Sequence, residues 1–445
     1  MVAVLASAGH RVIGVDLNDR AVRAINEGLA PVPETGLDDL MRDVSDRLSA
    51  TTDMRQAVAK TDVTFVVVAT PSEVGGEFSL KYVVPAMQEI GAALAEKDGY
   101  HLVVLTSTVM PGTTGGPIRQ ALEQASGKQA GVEFGLCYSP EFIALGSVIR
   151  DLRNPDFLLI GESDPRAGDL LLETYKSVCA NDPPSARMNF TNAEITKLAV
   201  NTFVTTKISY ANMLAQVCER LPSANVDVVT SALGLDSRIG AKYLKGGACY
   251  GGPCFPRDNR AFVALAADVG ADAWLAQATD RQNVAQVAWV AAEVQGRLRP
   301  GERVAVLGLA YKTGTNIAEE SHGLNLTRAL AEAGIEVVAH DFAAVGQADG
   351  LLADLGSRVT ITSELAEDLW DARVVVVATP WVQYRSLLEG LHAQAGGPVV
   401  LDCWRLLSAA GDDPTYVPLG VGRSEIEDMA DGARRVATPS GVGAG

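Results

Sequence analysis

The chain has 445 residues, 47% of them hydrophobic, and a formal net charge of −17, which allows two or three domains with cores of their own. That excess of carboxylate excludes nucleic acid and anionic membrane as partners, since both demand clustered Lys and Arg; a small anionic ligand must then be held by a few local cations. Six cysteines, at 137, 179, 218, 249, 254 and 403, show neither Cys-x-x-Cys nor Cys/His metal spacing and read as reduced thiols of a cytoplasmic protein with no disulfide and no metal.

Residues 11–16 read as a strand ending in an acid, followed by a helix from Asn18. Asp16 stands where the Rossmann fold places the acid that accepts hydrogen bonds from the adenosine ribose of NAD. A first strand and a Gly-x-Gly-x-x-Gly turn should precede it by about 20 residues, and residues 1–10 read instead as the later part of the first helix. A chain starting inside its own dinucleotide site is expected to bind NAD weakly and to fold poorly in its first domain. No charged-then-apolar leader opens it, and the strongest apolar runs, 63–69 and 374–378, have the length of buried strands rather than of a membrane span.

Further strands are predicted at 63–69, 102–106 and 158–160, with helical patterns between them, hence parallel pairing in a doubly wound sheet. The unbroken apolar character of 64–69 predicts a strand covered on both faces. Residues 191–219 are wholly helical in pattern, with Thr191 and Glu194 at capping-box spacing; at ~1.5 Å per residue this is a rod of about 40 Å. Helical character continues to about Arg297, interrupted by the glycine-rich stretch 246–256, and residues 303–308 open a second α/β unit. There the run 335–341 parallels the strand ending at Asp16, and 374–380 parallels 65–71. The fold expected is α/β: two Rossmann-like doubly wound domains, 1–185 and 299–420, joined by a helical central domain, 186–298, with a long connecting helix, then a disordered tail at 421–445.

The segment 251–258, Gly-Gly-Pro-Cys-Phe-Pro-Arg-Asp, puts the Cys254 thiol on a glycine-rich turn with Asp258 four residues later, the manner in which a nucleophilic cysteine is presented. Lys197 and Asn201 share one face of the long helix; an amine and an amide converging on a hydroxyl can support an alkoxide as hydride leaves. An isolated Lys-x-x-x-Asn is more often a solvated face, so the pair alone decides nothing. Thr108 follows a predicted strand and Glu141 another such turn, which places both for a site where doubly wound folds bind ligands, at the carboxyl ends of strands; a turn-capping role would suit each equally well.

Together these segments resemble the UDP-glucose/GDP-mannose dehydrogenase family. The matches are Ser-Thr-Val-x-Pro-Gly-Thr-Thr at 107–114, Ser-Pro-Glu-Phe at 139–142, Ala-Glu-x-x-Lys-x-x-x-Asn at 193–201, Arg-Ile-Gly at 238–240 and Gly-Gly-x-Cys-Phe-Pro-x-Asp at 251–258. The resemblance implies oxidation of the C6 alcohol of a nucleotide sugar to a carboxylate, with two hydrides passed to NAD. Cys254 would form the thiohemiacetal and thioester, Lys197 and Asn201 would stabilise the oxyanion, Asp258 and Thr108 would handle water, and Glu141 would do acid–base work. It further implies Asp16, Thr70, Pro71 and Thr108 as cofactor contacts. Substrate contacts would be Glu141, Lys197, Asn201, Arg238, Tyr243, Lys245, Gly251, Tyr311, Lys312 and Arg405, with Arg238 lent across a homodimer or higher homo-oligomer.

Four positions depart from the family pattern. Leu145 replaces a glutamate, Cys249 a glycine in the catalytic loop, Glu319 an arginine, and Trp404 stands where Asp-Gly-Arg motifs supply one. They leave the sugar and base open: UDP-glucose to UDP-glucuronate comes first, with a UDP-N-acetylhexosamine or GDP-mannose 6-dehydrogenase as alternatives. Two other classes remain, an inactive nucleotide-sugar binder and a two-electron β-hydroxyacid dehydrogenase, which needs no thiol.

Overall fold

The structure, a computed structural model, describes residues 1–365, 371–392, 396–407 and 415–422. The chain divides into two compact units: Met1–Thr202 with Arg257–Ala273, and Phe203–Pro256 with Trp274–Gly445. The helical stretch expected as a domain of its own is thereby shared, because the helices Phe190–Glu219 and Phe255–Asp268 each have residues in both units.

In the first unit, β1 (Val12–Val15) and β2 (Leu48–Thr51) form a parallel pair. A separate five-stranded sheet runs β3 (Val63–Val66), β4 (Leu102–Leu105), β5 (Gly135–Tyr138), β6 (Leu158–Glu162) and β7 (Ser185–Met188). Val103, Leu105, Leu136 and Tyr138 pack with Met87, Ile90 and Leu122, while the alternate residues Leu102, Val104 and Cys137 pack with Leu171. Both faces are therefore covered, as a period of two requires. Three expectations need correction. The β5–β6 pair is antiparallel rather than parallel. The apolar run 63–69 is a strand only to Val66, and Val67 is 61% exposed, because β3 has a ladder on one side alone, with β4. The capping box at the head of the long helix is not made either: Asn189 Oδ1 accepts the Asn192 N–H at 2.9 Å, and the buried Glu194 carboxylate accepts the Gly112 and Thr114 N–H groups at 2.6 and 2.7 Å instead. Glu194 thus holds the turn that follows β4.

In the second unit, six parallel strands lie in the order β10 (Val359–Thr362), β9 (Val337–His340), β8 (Val304–Leu307), β11 (Val374–Val377), β12 (Val399–Asp402), β13 (Tyr416–Pro418). This 3-2-1-4-5-6 arrangement is that of the dinucleotide-binding fold. With a ladder on each side, β8, β9 and β11 are buried throughout. The helices Val226–Leu235, Trp274–Gln295 and His322–Glu332 belong to the same unit. Most of the expected tail, from residue 423 on, lies outside the described residues.

Candidate active site

In the first unit the predicted residues gather at the carboxyl ends of strands. Asp16 follows β1 with its carboxylate exposed, one oxygen accepting the Asn18 N–H at 2.8 Å. Beyond β3 and β4 the chain ends are stitched together: Ser107 Oγ donates to Val68 O and accepts the Val68 N–H, and Thr70 Oγ1 donates to Thr108 O at 2.8 Å. These bonds fix Thr70, Pro71 and Thr108 on one rim. After β5, the segment 139–142 brings Glu141 to Lys197, whose Nζ donates to Glu141 O at 2.7 Å and lies 4.5 Å from the centre of the Phe142 ring. The Glu141 Oε1 atom is buried without a hydrogen-bond partner. Burial raises its pKa, against the pull of neighbouring positive charge that includes Lys197, so this carboxyl can carry a proton at higher pH than an exposed one. One helical turn beyond Lys197, Asn201 Nδ2 donates to Asp258 Oδ2 at 2.6 Å, while Asp258 Oδ1 pairs with Arg257 at 2.9 Å. Lys197, Asn201 and Asp258 are all buried. A satisfied network of this kind holds its members rigid in a low-dielectric setting.

In the second unit, Cys254 sits in the turn before the helix Phe255–Asp268. Of the six cysteines, all described, it is the exposed one. Burial raises the other five thiols, Cys249 to about 12 and Cys137, Cys179, Cys218 and Cys403 in the same direction. Cys254 is therefore the accessible thiol, and the glycine-to-cysteine departure at 249 adds no second one.

The loop ahead of Cys254 is held by side chains that spacing did not reveal. Asn212 Oδ1 accepts the Gly247 N–H at 2.8 Å and its Nδ2 donates to Ala248 O at 3.0 Å. Gln286 Nε2 donates to Gly247 O at 2.5 Å, and Asn283 bonds both the N–H and the C=O of Tyr250 at 2.8 and 2.9 Å. The Tyr250 hydroxyl donates to Asp280 at 2.6 Å. Asp280, Asn283 and Gln286 recur every three residues on one helix, and that period is the one signal in the sequence that could have found them. Side-chain amides stand here in place of a neighbouring strand, because a glycine-rich loop makes no ladder of its own.

The predicted nucleotide contacts divide. Tyr311 and Lys312 lie together after β8, the ammonium 5.9 Å from the centre of the Tyr311 ring. That ring packs on Gly252, whose φ of +79° suits glycine and where a Cβ would approach the ring to 2.7 Å. Tyr243, half exposed with φ 65°, meets Phe255 edge-on, and Lys245 is exposed. Arg238 is exposed and pairs with Asp236, on a turn that Lys207 Nζ holds through Ile239 O and Gly240 O. Arg405 is a correction. Its Nε and Nη2 bind Asp227 at 2.7 and 2.8 Å, and its remaining N–H groups donate to Gly246 O, Cys403 O and Leu419 O. All five donors are consumed inside the protein, leaving none for a diphosphate. Arg405→Ala strands Asp227 and three carbonyls, and is expected to cost about 3 kcal/mol, read as a lower urea midpoint with an unchanged m-value.

The two acids that the sequence pairs also behave differently. Asp341 is fully buried, one oxygen accepting the Leu309 and Ala310 N–H groups and Trp381 Nε1, the other the Ala343 and Ala344 N–H groups. The turn after β8, which in a dinucleotide fold would cradle pyrophosphate, is filled by the protein's own carboxylate.

Residues 1–179, 191–285 and 305–409 match, in order, the NAD binding, central and UDP binding domains of the UDP-glucose/GDP-mannose dehydrogenase family. The chain belongs to that family. Its members are NAD-dependent nucleotide-sugar 6-dehydrogenases, and so is this chain. A UDP-glucose 6-dehydrogenase of Haloferax volcanii is 37% identical over 410 residues, 91% of this chain and 94% of the relative. A GDP-mannose 6-dehydrogenase of Pseudomonas syringae pv. tomato is 33% identical over 76% of each chain. The solved UDP-glucose dehydrogenase of Pyrobaculum islandicum superposes with a TM-score of 0.83 at 35% identity, covering 94% of both chains. For a member of this family, NAD is the cofactor, and the residues present suit it: the exposed carboxylate of Asp16 can accept from two ribose hydroxyls and would repel the 2′-phosphate of NADP.

Proposed function

We propose that the chain oxidises the C6 alcohol of UDP-glucose to the carboxylate of UDP-glucuronate by way of a covalent intermediate on Cys254. The observation that carries this is the single exposed thiol, set before a helix on an amide-clamped loop and four residues ahead of the buried Asp258. A two-electron alcohol dehydrogenase needs no such thiol. Asp16, Thr70, Pro71 and Thr108 would hold NAD, which when bound would supply the hydride acceptor for the two oxidations. Lys197 and Asn201 stabilise the alkoxide from which the first hydride departs, and Glu141 takes up and returns the proton. The Cys254 thiolate then adds to C6 of the aldehyde, giving a thiohemiacetal whose oxyanion rests on the same ammonium and amide. Loss of the second hydride leaves a thioester. Water, oriented by Asp258 and Thr108, adds to it and expels the thiolate, so that two hydrides leave and one oxygen enters.

The nucleotide is assigned to Tyr311 and Lys312, with Tyr243, Lys245 and the backbone of Gly251, while Arg405 secures the loop. UDP-glucose is preferred because relatives of that name match over more than 90% of this chain; GDP-mannose is the second reading, from relatives of lower coverage. Exposed apolar residues Phe203, Tyr210, Met213 and Val217 repeat along the long helix with a spacing that suits a second copy of the chain. In that homodimer the exposed Arg238 reaches the neighbour's substrate. Among the described residues, no helix is long and apolar enough to cross a membrane, and no disulfide joins the six cysteines; the reducing cytoplasm suits such a protein. The test is NADH formed per nucleotide sugar, with UDP-glucose, UDP-N-acetylmannosamine and GDP-mannose offered in turn. Two NADH per UDP-glucose, at the highest kcat/KM of the three, is expected; one NADH per sugar overturns the covalent route.

A further inference from the structure

We propose that His322 is a positioning residue for the Cys254 loop, and that through it the nucleotide-binding turn at Tyr311 and Lys312 governs the reactivity of the thiol. The proposal rests on the reading of Cys254 as nucleophile. His322 is buried at the start of the helix His322–Glu332, and its Nδ1 accepts the Cys249 N–H at 3.3 Å. An accepting Nδ1 leaves the ring proton on Nε2, which faces Cys403 Sγ at 3.9 Å. Burial lowers the imidazole pKa to about 4, so the ring stays neutral and Nδ1 stays an acceptor over the working pH range. A second bond, from Gly252 N–H to Glu319 O at 2.9 Å, ties the same loop to the same segment. Gly251 presses against Glu320 O so closely that a Cβ would collide with it.

Between these ties the segment 309–321 is closed on itself. The Tyr311 N–H donates to Ile317 O at 2.9 Å and Ser321 Oγ to Leu309 O at 2.6 Å. It therefore moves as one piece that carries Tyr311 and Lys312 at one end and meets His322 at the other. The amides of Asn212, Asn283 and Gln286 hold residues 247–250. His322 and Glu319 add the link to the nucleotide turn, two to five residues from the thiol. A nucleotide packing on Tyr311 presses on a body bonded to the catalytic loop, and a two-ended tie of this kind passes that bias to Cys254.

The experiment measures alkylation of Cys254 by iodoacetamide, mapped by mass spectrometry on the full chain, without nucleotide and with UDP or GDP in separate arms, beside kcat and KM. Wild type is expected to change its alkylation rate about 10-fold with one of the two nucleotides. His322→Leu should shrink that change to less than about twofold and lower kcat about 10-fold, with KM little altered. His322→Asn, whose Oδ1 takes the place of Nδ1, should restore both; His322→Gln, whose amide oxygen lies further out, should not. This second pair keeps the test decisive if the leucine variant is poorly folded. A wild type indifferent to both nucleotides, a leucine variant that keeps the full effect, or equal behaviour of the asparagine and glutamine variants overturns the proposal. Cys254→Ser stands apart from these arms: if it still yields two NADH per sugar, the nucleophile reading itself falls.

Discussion

Cys254→Ala is expected to halt the reaction after the first oxidation and to lower two-NADH turnover by more than about 10³-fold, since no other exposed thiol can hold the aldehyde as a thiohemiacetal. Five of the six thiols are held protonated by burial, and Cys249, five residues away, is raised to about 12, so none can substitute. The side chain is exposed, and its truncation should leave the melting temperature within about a degree or two. Rapid mixing with excess NAD, followed by counting NADH per enzyme-bound sugar, reads the result: one equivalent is expected from the variant against two from the wild type. A variant that completes both oxidations at the normal rate removes the thiol from the mechanism.

Lys197→Met is the second large effect. The ammonium is the one cation placed beside Glu141 from the long helix, and the buried surroundings strengthen its hold on a developing oxyanion. Loss of a single oxyanion partner costs about 10²–10³ in kcat. Methionine keeps the length and packs against the Phe142 ring where the ammonium lies, so the fold should survive. Steady-state NADH absorbance should show kcat falling by that factor while KM for the sugar changes by no more than a few-fold. A fall confined to KM would make Lys197 a binding residue and leave the oxyanion without its cation.

Much of this was legible before any coordinates. Strands expected at 102–106, 158–160 and 374–378 follow from apolar runs of strand length, and the long helix from an uninterrupted pattern. The candidate site residues came from motif spacing, and the structure brings Lys197 to Glu141, Asn201 to Asp258, and Thr70 to Thr108. Less legible were β2, β5 and β7, whose residues Leu-Ser-Ala-Thr, Gly-Leu-Cys-Tyr and Ser-Ala-Arg-Met form no unbroken run of branched apolar side chains. The run 63–69 misled because apolar character records a preference for burial, whereas the length of a strand depends on its partners, and β3 has one.

The sequence by itself determined the family and the candidate thiol, because each is written in motifs a few residues long. It could not tell Asp16 from Asp341, which end equivalent strands in similar surroundings. Packing decided that one is exposed for a ligand and the other sealed by five N–H donors. Arg405 likewise reads as a cation ready for phosphate until Asp227, 178 positions away, is found against it. Asn212, Asn283, Gln286 and His322 look like ordinary polar residues until folding sets them around 247–252. Hydrogen-bond partners of this kind lie tens to hundreds of residues apart along the chain, and only the tertiary structure fixes which donors remain for substrate.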